Sequence, residues 1–233
     1  KEVAVIVRGM LKALQYMHES RGMHRDIKTD NVMLTATGEA KLADFGVSRE
    51  LDPGESRMKT IVGTPYYISP EILSTSQPGY NFTADIWSVG ISIIEMIDGE
   101  PPHYDEHPMR VLFLIPTAPP PKVKHPDQFS GIFNDFLAKC VQKDPRKRPS
   151  ASELLHHPFI TRAGESSTVM GPKLAKYDDV VRAHGGRYAT MQYLKKKRGE
   201  DGDDGGGDGV GAVATQPRLF LSTLIVYYYY YYY

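Results

Sequence analysis

Apolar residues Val3, Ile6, Val7, Met10, Leu14 and Met17 recur at intervals of three and four, which predicts an opening helix with one core-facing stripe. Polar and glycine residues over 19–22 end that pattern. Two short apolar runs, Val32–Leu34 and Ala40–Leu42, flank Thr37, Gly38 and Glu39, a spacing that suits a small hairpin. Residues 44–71 are rich in Gly, Pro, Ser, Thr and charge without periodicity, and read as one long functional surface loop. After Thr83, residues Ile86, Val89, Gly90, Ile93, Ile94 and Ile97 repeat at helical spacing until Gly99 and Pro101 supply a stop, which predicts a central buried helix. Further helices are predicted over roughly residues 108–114, 130–141 and 150–156, the last with Ser150 and Glu153 placed as a capping box. The expected fold class is mainly α with a short β-hairpin.

The pattern weakens after Ile160. Residues 164–168 are polar, and 199–211 form a Gly/Asp run with too little apolar surface to offset the entropy of ordering. A boundary is therefore expected near Thr161, with residues 1–161 forming the domain and 162–233 a low-complexity, disordered tail. Within the tail, the basic cluster 195–198 reads as a solvated charge run, with a nuclear or anionic contact as the alternative. The apolar stretch 219–226 is far shorter than the roughly 20 residues that span a bilayer. The seven consecutive tyrosines that follow carry no folding logic.

Composition narrows the class. With 233 residues and 41% hydrophobic content the chain can bury a sizeable core. Basic and acidic residues each number 28, so neither a nucleic-acid nor a membrane-surface partner is expected. One cysteine, Cys140, excludes an internal disulfide framework and fits a reducing compartment. No secretory signal pattern opens the chain.

The chemistry lies between the first helix and the central one. His24-Arg25-Asp26, Lys28, Asn31 and Asp44-Phe45-Gly46 occur in that order, followed by Pro70-Glu71, by Asp85-Ile86-Trp87-Ser88-Val89-Gly90 and by Arg148. Together they resemble the catalytic loop, metal-binding motif and helical subdomain of the protein kinases, over residues 1–161. The resemblance implies a kinase C-terminal lobe that uses ATP and Mg2+ to phosphorylate protein substrates. Asp26 would be the base that orients the substrate hydroxyl, and Lys28 a point charge on the transferring phosphate. Asn31 and Asp44 offer hard oxygen ligands to magnesium, and with Lys28 and Met33 they would make the ATP contacts. Met33 reads equally as ordinary core. His24 and Phe45 are expected to pack in an internal apolar stack, with Gly46 completing the motif. Glu71 and Arg148 would form a buried ion pair, and Asp85 would accept hydrogen bonds from the catalytic-loop backbone. Arg25, a permanent cation beside the base, favours an incoming phosphate, and Thr60 is the acceptor expected to carry it, placed there by an upstream kinase or by self-phosphorylation. Thr64 resembles the threonine that contacts the base, lysine and substrate, and with Lys28 it points to serine/threonine rather than tyrosine specificity.

Residues 41–48, 63–67, 100–102, 107–110 and 115–116 resemble the Ste20-like group, with Tyr67 where Trp is usual and Ser69 where Ala is usual. That likeness implies a cytoplasmic signalling kinase. The Gly-rich phosphate loop, lysine strand and hinge of the N-terminal lobe are expected to be absent, since none precedes Val3, so these residues by themselves are expected to bind Mg-ATP poorly and turn over negligibly. The competing reading is a non-catalytic interaction module docking through residues 109–114. A tail-directed membrane or scaffold protein would rest only on residues 219–233.

Overall fold

Thr83–Asp98 forms the central helix α2, with Ile86, Val89 and Ile93 fully buried and Gly99 closing its end. Around it the computed structural model describes residues 1–51, 58, 60–74, 79–186, 189, 190 and 193. The first helix, α1 (Glu2–Glu19), buries Ile6, Val7, Met10 and Leu14, the stripe its periodicity predicts. It runs against α2 and across the hairpin of β2 (Val32–Leu34) and β3 (Ala40–Leu42). Those strands pair antiparallel, Val32 with Leu42 and Leu34 with Ala40, and Thr35 N–H donates to Glu39 O at 2.8 Å to close the turn. Because side chains alternate, Val32 and Leu34 face the core while Met33 pairs with Lys41 on the other side.

A second two-stranded ladder is formed by β1 (Gly22–Met23) and β4 (Arg49–Glu50). It pins the start of the long loop against the end of α1, and two residues per strand leave no period to detect. The loop also carries single 3-10 turns at Pro65–Tyr67 and Pro70–Ile72.

The remaining helices are α3 (Pro108–Thr117), α4 (Gly131–Cys140), α5 (Ala151–Leu155) and α6 (Pro158–Thr161). Both members of the Ser150/Glu153 capping box are formed. α3 runs past the predicted end at residue 114 because Lys143 Nζ donates to the carbonyls of Ile115 and Pro116, at 2.7 and 2.8 Å, satisfying the end of the helix. No helix among the described residues is long and apolar enough to cross a membrane.

The expectation of disorder from residue 162 is wrong for its first part. Ser166–Ala183 is an 18-residue helix, α7, that buries Met170, Leu174 and Tyr177 in the main core. It packs on α1, where Arg8 Nη2 donates to Ser166 Oγ at 3.3 Å and Lys173 faces Glu2. It also touches the hairpin turn: Gly38, at φ +80°, leaves room for Met170, since a Cβ there would stand 2.4 Å from Met170 Cβ. Burying side chains such as Met170 and Leu174 contributes roughly 1.5–3 kcal/mol each, which offsets the ordering cost that the polar residues around them cannot. The Gly/Asp run, the 195–198 cluster, the 219–226 stretch and the tyrosines lie outside the described residues, as do 52–57 and 59 of the long loop.

Candidate active site

The segment from β1 to β2 carries His24 to Asn31, and its backbone is held from α2. Asp85, 1% exposed at the first turn of α2, accepts the N–H of Arg25 on Oδ1 at 2.9 Å and that of His24 on Oδ2 at 3.0 Å. Burial opposes charge on this carboxyl, but the His18 ring and the two loop N–H groups hold it below the ordinary aspartate value. Arg25 adopts φ +69°, a conformation uncommon for a residue with a side chain. Its carbonyl points at Gly63, where an added Cβ would come within 2.6 Å of that oxygen.

That close approach seats Thr64 on Asp26. Asp26 Oδ1 accepts the Thr64 hydroxyl at 2.7 Å and its N–H at 3.1 Å. Lys28 Nζ lies 2.8 Å from Asp26 Oδ2 and donates to the same threonine oxygen at 3.1 Å. Partial burial raises the Asp26 carboxyl, yet the Lys28 and Thr64 hydrogen bonds outweigh it and leave the group below the usual range. Asn31 Nδ2 donates to Asp26 O at 2.8 Å, which commits the amide nitrogen and makes Oδ1 the oxygen available to a ligand.

Asp44 follows β3, and the Ala43 N–H to Asn31 O bond of 2.9 Å ties the two segments together. Asp44 is exposed at φ +60° and accepts the Gly46 N–H at 3.1 Å. Met33, 8% exposed, lies between them on β2. The His24 ring donates from Nε2 to Ala43 O at 3.1 Å and meets Phe45 at a centroid distance of 5.2 Å. The expected stack is thus half formed among the described residues: His24 is fully buried, whereas Phe45 is 54% exposed.

A family model described as protein kinase domain matches residues 1–160. The chain belongs to the protein kinase family. It is similar to the serine/threonine-protein kinase 4 homolog A of Dictyostelium discoideum, 46% identical over 186 residues, which are 79% of this chain and 40% of that protein. The chain thus spans well under half the length of this curated relative. The serine/threonine, Ste20-like character of the sequence is borne out. A 186-residue match is longer than the family match and therefore runs into the segment that forms α7.

Elsewhere in this kinase segment the expected ion pair is present. Arg148 holds Glu71 with two parallel bonds of 2.6 and 3.0 Å, both residues buried. Its remaining donors go to Thr83 O and Gln142 O, and its guanidinium lies 5.4 Å from the Trp87 ring centroid. Thr60 is exposed, with its hydroxyl 3.2 Å from Arg25 Nη1 and its carbonyl accepting from Tyr80 OH at 2.8 Å. The two departures from the group pattern are both inside. The Tyr67 hydroxyl donates to Glu95 Oε2 at 2.6 Å, and Thr29 donates to the same oxygen at 2.6 Å. Ser69 is fully buried, and its hydroxyl has no hydrogen-bond partner among the described residues.

Two participants were missed in the sequence. Neither His18 nor Glu95 stands out by motif or spacing. His18 stands four residues before β1, where the chain turns back toward α2, and Glu95 shares a polar stripe with Ser88, Ser92 and Asp98 on an otherwise apolar helix; those were the available signals.

Proposed function

We propose that this chain supplies the phosphoryl-transfer half of a serine/threonine protein kinase, carrying the ATP γ-phosphate to Ser or Thr hydroxyls of protein substrates. The observation that carries the reading is the Asp26, Lys28 and Thr64 cluster, in which one threonine hydroxyl bridges the carboxylate and the ammonium.

Asp26 orients the incoming hydroxyl and takes its proton late. A carboxyl held below its usual range is a weak base, which suits a loose transition state needing alignment more than deprotonation. Lys28 Nζ, already beside Asp26, neutralises charge on the phosphate as the bond to the leaving group lengthens. Thr64 holds the two together and aligned, and its place in the long loop puts it next to an incoming peptide. Asn31 Oδ1 and the exposed Asp44 carboxylate are hard oxygen donors that fit Mg2+. When bound, such an ion would supply positive charge that offsets the charge of the nucleotide phosphates. Met33 offers an apolar contact to the adenine. Thr60 beside Arg25 is the activation site of this reading: a phosphate there gains a charge-assisted bond to a guanidinium that also reaches the backbone at Val47.

The 233 residues contain no Gly-rich phosphate loop and no lysine strand ahead of the catalytic loop. By themselves they are expected to bind Mg-ATP weakly and turn over negligibly. Protein substrates, a signalling role and a cytoplasmic location follow from the Ste20-like resemblance. The test uses the full-length protein that carries this segment: transfer of labelled phosphate from ATP to a Ser/Thr peptide is expected, lost in Asp26→Asn and strongly lowered in Thr60→Ala. Undiminished transfer by Asp26→Asn overturns the reading.

A further inference from the structure

We propose that α7 is a built-in brace for the nucleotide face of the lobe, gripping the β2–β3 hairpin by its turn and so steadying Asn31, Met33 and Asp44 toward its other end. The part that concerns nucleotide rests on the kinase reading above; the mechanical part rests on geometry alone. α7 lies beyond residues 1–160, the span that the kinase family model matches.

The hairpin has three residues per strand, and a two-stranded ribbon of that size has little stability of its own. Its strands lie on α1, so closely that a Cβ added at Gly9 would stand 2.5 Å from Ala40 O. The turn is exposed at Ala36, Thr37 and Glu39, yet Gly38 is buried against Met170. A Cβ added at Gly38 would also lie 3.1 Å from Ser166 O, so side chain and backbone of α7 both meet the turn. Arg8, the residue before Gly9, ties α7 to α1 through Ser166 Oγ. Neighbouring residues of one helix thus hold the hairpin and its brace.

The ladder carries the constraint toward the site. From the turn, where Thr35 N–H donates to Glu39 O, paired residues lead to Asn31 and Ala43, which are joined by the Ala43 N–H to Asn31 O bond. Asn31 and Asp44 are the metal donors of the kinase reading, and Met33 its adenine contact. Asp26, Lys28 and Thr64 are held from elsewhere, through Asp85 on α2 and the close approach at Gly63. The two halves of the site therefore have separate supports, and losing the brace disturbs the nucleotide half first. α7 depends on its docking for order: Pro172 lacks the N–H that would bond the Thr168 carbonyl, and burial of Met170, Leu174 and Tyr177 offsets that loss.

Two substitutions separate the contact from the charge. Met170→Asp puts a carboxylate into the contact with the turn, whereas Ala175→Asp puts one on the exposed face of the same helix; Met170→Ala replaces the first if that variant does not fold. In the 233-residue chain without nucleotide, amide exchange at both Thr35 and Ala43 is expected to quicken about tenfold in the Met170 variant, with the His24 amide, held from α2, within about twofold. All three are expected to stay near wild type in Ala175→Asp. In the full-length protein, KM for ATP is expected to rise about fivefold in the Met170 variant, with KM for peptide within about twofold. Quickening at Thr35 with Ala43 unchanged overturns the proposal, because α7 would then hold the turn alone. No quickening, equal quickening at His24 or in Ala175→Asp, or an unchanged KM for ATP overturns it as well. A wild-type protein without phosphoryl transfer would sink the kinase reading, while the exchange data would still decide whether α7 braces the hairpin.

Discussion

The Thr64 hydroxyl donates to Asp26 Oδ1 at 2.7 Å and accepts from Lys28 Nζ at 3.1 Å, so one side chain of the long loop holds the Asp26 carboxylate and the Lys28 ammonium together. Thr64→Ser keeps that oxygen and is expected to stay within a few-fold of wild type in kcat. Thr64→Val removes it and is expected to lower kcat by about 10- to 100-fold. Gly63→Ala should resemble Thr64→Val, because its methyl would meet Arg25 O at 2.6 Å and push Thr64 off Asp26. Steady-state kinetics on the full-length protein check all three; a silent Thr64→Val would remove Thr64 from the site.

Arg148 and Glu71 join two distant parts of the lobe through a bidentate bond. Removing one partner leaves the other buried and uncompensated, so Glu71→Ala is expected to destabilise by about 3–5 kcal/mol. Arg148→Lys should rescue little, since an ammonium with three donors cannot reproduce the five bonds the guanidinium makes to Glu71, Thr83 O and Gln142 O. Urea denaturation of the chain gives both values.

Ser69 buries a hydroxyl that finds no partner among the described residues. An unsatisfied buried polar group costs about 1–3 kcal/mol, so Ser69→Ala is expected to leave stability unchanged or raise it by about 1 kcal/mol. A clear loss in the same titration would reveal a hydrogen bond to Ser69.

Charge state makes stability pH-dependent in two opposite senses. Asp26 and Asp85 are lowered in the fold, so their contribution is present above the unfolded value near about 3.9 and is lost as pH falls through the folded values. Glu95 is raised, burial being the main cause, so its contribution is present below its unfolded value and lost as pH rises through the folded one. Glu95→Gln should therefore flatten the stability profile on the rising side, and Asp26→Asn on the acid side. Denaturation midpoints between pH 3 and 8 measure it; parallel profiles for wild type and Glu95→Gln would show that Glu95 does not titrate in that window.

Met170 is fully buried between α7 and the hairpin turn. Met170→Ala is expected to cost about 2–5 kcal/mol, and a chain ended at residue 161 to unfold at lower urea concentration. Equal midpoints for the shortened and complete chains would mean that α7 does not hold the lobe.

Much of the fold was legible in local pattern. The stripe on α1, the period of α2 and the paired runs Val32–Leu34 and Ala40–Leu42 each repeat at the interval of their own secondary structure, and the Ser150/Glu153 box marks a helix start by two side chains alone. α7 was missed although Met170, Leu174, Tyr177 and Val181 are spaced as on a helix face. Gly171, Pro172 and a polar surround dilute that signal, and only the receiving surface on α1 and Gly38 makes the helix worth ordering.

The same division runs through the site. By itself the sequence singled out the residues proposed to do the chemistry, Asp26, Lys28, Asn31, Asp44 and Thr64, because their order and spacing resemble one known arrangement. Tertiary structure decided how they meet. Thr64 reaches Asp26 across 38 positions, His18 reaches Asp85 across 67 and Arg148 reaches Glu71 across 77. Such contacts follow no local period: they depend on where helices pack and on which buried polar group needs a partner once water is gone.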